Sequence, residues 1–91
     1  MQEMLGQLEW DEGCLDKYNR MLNKIPVFHR EITRQIVPEK AVLNAKGRGS
    51  SIVEECDVVR AFLTEVPKAF YSLMIRLMDD VGFDHKKYEE E

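Results

Sequence analysis

Apolar residues recur at intervals of three and four along most of the chain, and Pro26, Pro38 and Pro67 cut that pattern into short pieces. Spacing of this kind lays one apolar stripe along an α-helix. A proline inside a helix removes a backbone donor and clashes with the preceding turn. No segment alternates apolar and polar residues long enough to predict a strand. The expected fold is therefore all-α, a compact bundle of four to five short helices. At 91 residues the chain is long enough for one domain and too short for two. No internal repeat is present.

The stripes can be placed. Asp11 is a good N-cap for a first helix whose buried face is Leu15, Tyr18, Leu22 and Ile25. Lys17, Arg20 and Lys24 lie opposite and are expected to be its wet face. Pro26 ends that helix and suits the start of the next. In the second helix Phe28, Ile32 and Ile36 share a face, expected to anchor it in the core, with Arg30 and Arg34 opposite. Pro38 predicts a kink or break near Val37, followed by a short continuation to Lys46. Gly47 and Gly49 supply closing conformations. Ser51-Ile-Val-Glu54 has capping-box spacing, which predicts a third helix carrying Ile52, Cys56, Val59, Phe62, Leu63 and Val66. Pro67 opens a fourth helix lined by Phe70, Leu73, Met74, Leu77, Met78 and Val81 and ended by Gly82. The acidic end, residues 83–91, has no periodicity and is expected to fray, leaving His85 inert.

The net charge of −4 conceals an asymmetry. Residues 17–48 carry eight basic groups against Glu31 and Glu39, so the middle is positive and both ends are negative. This is either one basic surface or a set of solvated helix faces. The overall acidity makes nucleic acid an unfavoured partner. No apolar run nears the roughly 20 residues of a membrane helix. The first residues are acidic and lack the basic start of a secretory signal. A cytoplasmic protein is expected, with Cys14 and Cys56 as reduced core thiols.

Material for catalysis is sparse. No nucleophile–base pair stands at a local spacing, and the two histidines and two cysteines match no metal-ligand pattern, so neither a metal site nor a cofactor is expected. His29, at the edge of the second helix's apolar face, is either a hydrogen-bonded core histidine or a ligand contact. The loop Lys46–Ser51, with Arg48 between two glycines, is either a helix cap or an anion site. The Met-rich face from Phe70 to Met78 is either core or a self-association surface that would form a homodimer.

One segment is also a signature. Trp10 with acidic residues after it, Leu22, Ile25-Pro26-Val27-Phe28-His29-Arg30, Arg34, Glu39, Ala41 and Gly49, then Ile52, Glu55, Val58 and Ala61, resemble the small C-terminal helical domain of the B subunit of light-independent (dark-operative) protochlorophyllide reductase. The resemblance spans Trp10 to about Ala61. It implies a helical domain over residues 10–66, preceded by an arm at 1–9 and extended by an added helix at 67–82 and the tail at 83–91. It also implies an oxidoreductase context related to chlorophyll biosynthesis. In that family a large catalytic core binds substrate and shares an iron–sulfur cluster with a partner subunit, and the small domain helps to cover the tetrapyrrole. None of that core is present in these 91 residues. The chain departs from the pattern where Val53 stands in place of a capping Thr and where Pro38 interrupts a helix.

The expected function is thus a stand-alone, non-catalytic module that interacts with protein or covers a tetrapyrrole-like ligand beside an oxidoreductase. In the ligand version Arg30 or Arg34 would pair with a propionate while Phe28 or Met74 packs on the ring, and His29 and Arg48 complete the candidate contacts. The alternative is a histone-like or nucleic-acid-binding helical module, suggested by the run from Arg48 to Ala61 and the positive middle.

Overall fold

The computed structural model describes residues 4–5 and 8–88. Two short strands come first, β1 (Met4–Leu5) and β2 (Leu8–Trp10), then helices α1 (Glu12–Lys24) and α2 (Val27–Gly47). Strand β3 (Ile52–Val53) leads to α3 (Glu55–Glu65). A 3₁₀ turn (Lys68–Phe70), α4 (Tyr71–Val81) and α5 (His85–Tyr88) complete the chain. The domain is the expected small helical bundle. The strands were not expected. β2 lies between the other two, antiparallel to β1 and parallel to β3. Strands of two or three residues are too short for alternation to register. The register sets Trp10 beside Val53, both fully buried.

Helix α1 begins where Asp11 accepts the Cys14 amide at 3.0 Å. Its buried face is Cys14, Leu15, Tyr18, Met21 and Leu22. Ile25 turns extended, as a residue before proline prefers, and α2 starts directly after Pro26. The predicted break at Pro38 does not occur, and α2 runs unbroken from Val27 to Gly47. Proline forfeits one helical hydrogen bond, but the Pro38 ring is buried and α3 packs along the neighbouring face, so burial offsets the loss. After α2, Gly49 adopts φ +79°, and the Ser50 amide reaches back to the Ala45 carbonyl at 2.9 Å.

The predicted capping box lies three residues too early. Ile52 and Val53, both β-branched, join β2 instead of a helix, and the Asp11 amide bonds the Val53 carbonyl at 2.9 Å. Helix α3 starts at Glu55, with the Asp57 carboxylate accepting the Glu54 amide at 2.9 Å. Its inner residues are Val58, Val59, Ala61 and Phe62, and Phe62 meets α1 through a chain of rings. Trp10 and Tyr18 have centroids 5.3 Å apart, and Tyr18 and Phe62 6.2 Å.

Helix α4 buries Met74, Leu77, Met78 and Val81, and Gly82 ends it at φ +95°. The tail does not fray at that point. Phe83 is buried in the core, and His85 is 5% exposed with its Nε2 3.0 Å from Asp79 Oδ1. Residues 89–91, the rest of the expected acidic tail, lie outside the described residues. The first helix's basic side chains hold this end down. Lys17 Nζ reaches Glu55 Oε1 and the Gly82 carbonyl, both at 3.1 Å, while Arg20 reaches the Val81 carbonyl at 3.4 Å. Lysine and arginine at a helix C-terminus satisfy carbonyls that have no helical partner. What reads as a wet face in the sequence is half a tertiary clamp.

Candidate functional site

The N-terminal half of α2 stands off from the bundle, and an apolar groove of about 210 Å³ separates it from the corner between α3 and α4. His29, Ile32 and Ile36 form one wall, Val66, Phe70 and Met74 the other, and Glu65 lies at the rim. The His29 ring sits between two phenylalanines, with centroids 4.2 Å from Phe28 and 4.1 Å from Phe70, the latter edge-on. Its Nε2 is enclosed and has no hydrogen-bond partner among the described residues. An enclosed polar atom without a partner costs about 1–3 kcal/mol, so this histidine is not a satisfied core residue.

Three of the six candidate contacts meet here. His29 and Met74 line the groove, and Phe28 stacks over His29 from outside. The expectation that Phe28 anchors α2 in the core is corrected: it is 75% exposed. Ile32 and Ile36, expected on the same buried face, are 56% and 39% exposed. The stripe is real, but among the described residues only the far wall of the groove faces it, and that wall leaves Ile32 and Ile36 more than a third exposed.

The three arginines go elsewhere. Arg30 folds back over the end of α1 and donates to the carbonyls of Leu22 (3.1 Å), Asn23 (3.2 Å) and Ile25 (3.0 Å). It is a side-chain cap at the point where Pro26 takes the chain out of helix: it adds a donor to the Leu22 carbonyl, which also accepts the Ile25 amide at 3.2 Å, and serves the Asn23 and Ile25 carbonyls beyond it. Arg34 pairs on the surface with Glu31 at 2.7 Å. Arg48 forms a two-pronged pair with Asp57, at 2.9 and 2.6 Å, and lies 3.9 Å from Glu54. Asp57 is fully buried, and its carboxylate holds the Arg48 guanidinium protonated, well above its ordinary range. The Lys46–Ser51 loop is therefore a helix-to-strand connection whose arginine is engaged inside the chain.

The positive middle shrinks for the same reason. Of its eight basic groups, Lys17, Arg20, Arg30, Arg34 and Arg48 have carboxylate or carbonyl partners. Both cysteine thiols are shifted away from the reactive thiolate. Burial, reinforced by Asp11, Glu55 and Asp57, pushes the Cys14 thiol up to about 12, and burial with Asp57 also raises Cys56, which is only half-buried. A protonated thiol is a poor nucleophile and a poor metal ligand. Among the described residues no three His, Cys, Asp or Glu side chains cluster as a metal site would need. Nor is any described helix long and apolar enough to cross a membrane.

The Met-rich face expected to be core or an interface is largely core. Met74, Leu77 and Met78 are 4%, 7% and 0% exposed. The residue that the sequence places in that stripe and the structure adds to the site is Phe70, because the 3₁₀ turn after Pro67 swings it back toward His29. No protein-family model, curated protein or solved structure matches the chain.

Proposed function

We propose that the chain is a stand-alone, non-catalytic helical module, similar to the small domain of protochlorophyllide reductase, that covers an apolar partner or a tetrapyrrole-like ligand beside an oxidoreductase. The observation that carries this reading is the uncovered apolar surface of α2, which opens onto the groove holding the enclosed His29 Nε2. Neutral imidazole is a good ligand for a metal centre, and flanking rings suit a flat apolar molecule. The protonated thiols and the dispersed carboxylates support a role in contact rather than in catalysis. The nucleic-acid alternative has less support, since most cations of the positive middle have internal partners.

Optical titration with haem and with protochlorophyllide tests the ligand form. A spectral shift at tens of micromolar is expected, and His29→Ala is expected to remove it without changing the far-ultraviolet circular dichroism. No shift with either pigment rejects the ligand form. Co-purification of the native chain with an oxidoreductase subunit, lost in Phe28→Asp, tests the protein form.

A further inference from the structure

The exposed apolar residues of α2 are not scattered. At about 100° per residue, Phe28, Ile32, Ile36 and Leu43 fall within an arc of roughly 80°, and the band they form is about 22 Å long. They are 75%, 56%, 39% and 58% exposed. Four such side chains present on the order of 500 Å² of apolar surface, at the upper end of the roughly 300–600 Å² found as the largest patch on monomeric proteins. Covered on two partners, it would bury on the order of 1,000 Å² in total, the low end of the range, where weak and concentration-dependent interfaces lie.

We propose that a second copy of this chain covers the band, the two α2 helices packing antiparallel about a two-fold axis beside Ile36. This rests on the reading of α2 as an interaction surface and names its occupant. Two features favour a second copy. The first is the spacing. Phe28 and Leu43 stand at nearly equal distances on either side of the axis, so each meets the other's counterpart, and Ile36 packs near its own copy. A two-fold interface must be self-complementary in this way. The second is charge. The same axis brings Lys40 to the level of Ile32 on the second copy. Lys40 lies on the flank of α2 that also carries His29 and Thr33, and a two-fold axis sets like flanks together. Glu65 lies across the groove on that flank, so Lys40 of each copy faces Glu65 of the other. Neither residue has an ion-pair partner among the described residues.

Sedimentation equilibrium or light scattering on the full chain, from micromolar to several hundred micromolar, gives the test. The expected result is a concentration-dependent dimer. Ile36→Glu, at an exposed position, should leave the circular dichroism unchanged and weaken the dimer at least tenfold. Lys40→Glu and Glu65→Lys should each weaken it several-fold, and the double reversal should restore it. A chain that stays monomeric to several hundred micromolar overturns the proposal, as does a dimer indifferent to Ile36→Glu. A double reversal that fails to restore the dimer overturns the antiparallel register. A monomeric chain that still shifts the haem spectrum through His29 would overturn this inference and leave the ligand reading standing.

Discussion

The two halves of α2 are one helix with opposite surroundings. In the C-terminal half Val37, Pro38, Ala41, Val42 and Ala45 are buried, and the helix end is tied to α3 through Arg48 and Asp57. In the N-terminal half, residues 27–36, no residue is buried, and four large apolar side chains are between 39% and 75% exposed. The difference lies in what crosses each half. Ala41 and Ala45 have no side chain beyond Cβ, so α3 can approach closely, whereas the bulky residues of the first half face the groove and solvent. A periodic stripe thus shows which residues share a face, and only topology decides whether another element covers that face.

The contrast is most easily broken at the buried pair. Arg48→Ala leaves the Asp57 carboxylate enclosed without its cation and should cost about 3–5 kcal/mol. Domains of this kind have a total stability of about 5–15 kcal/mol, so the urea midpoint should fall steeply. A loss below about 1 kcal/mol would mean that the pair does not hold the α2–α3 end. The exposed half has its own anchor, and Arg30→Ala tests it. Removing three bonds to the end of α1 should cost about 2 kcal/mol. Arg30→Lys should recover less than half, because an ammonium cannot reproduce the planar fork.

Much of this was legible in the sequence. The helical class, the Asp11 cap, the corner at Ile25–Pro26 and the Gly82 stop all follow from local chemistry, and local chemistry is what a sequence carries. Three of the misreadings share one cause, a tertiary contact that overrode a local signal. Pro38 does not break α2 because its ring is buried. Ser51 does not cap α3 because Ile52 and Val53 pair with β2, which lies far earlier in the chain. Phe83 and His85 do not fray because Glu55 and Asp79 engage that segment. In the candidate site the sequence marked Phe28, His29 and Met74, but it placed Phe70 on a face read as core or self-association surface and treated Arg30 and Arg48 as ligand contacts. Which carbonyl or carboxylate an arginine meets depends on distances no spacing rule contains.

A smaller effect should appear at alkaline pH. Burial holds the Cys14 thiol at about 12 against an ordinary 9.0, and the Tyr18 phenol at about 12 against 10.0. Both groups are neutral when protonated, and the folded values are the higher ones. Their contribution to stability is therefore complete below about pH 9 and declines as pH rises toward 12, because the unfolded chain releases these protons first. Each tenfold difference in proton affinity between the folded and unfolded chain is worth about 1.4 kcal/mol, so the loss by pH 10 should be about 1–2 kcal/mol, read as a falling urea midpoint. Cys14→Ala should move the onset of this decline up toward the tyrosine range. A midpoint that falls equally early without the thiol would place the responsible group elsewhere.

The smallest expected effect is the most informative about the exposed half. Ile32→Ala removes a large apolar side chain, a change that costs about 2–5 kcal/mol in a packed core. Ile32 is 56% exposed, so little buried contact is lost, and alanine is the better helix former by a few tenths of a kcal/mol. The two terms nearly cancel, and stability should change by no more than about 0.5 kcal/mol when measured at concentrations where the chain is monomeric. A loss above about 1.5 kcal/mol under those conditions would show that the band is covered within the single chain, and the contrast between the halves of α2 would fail. If the loss appears only as the concentration rises, the missing cover is intermolecular. In that case stability and self-association are linked through the same residue, as mass action requires when only the folded chain can associate.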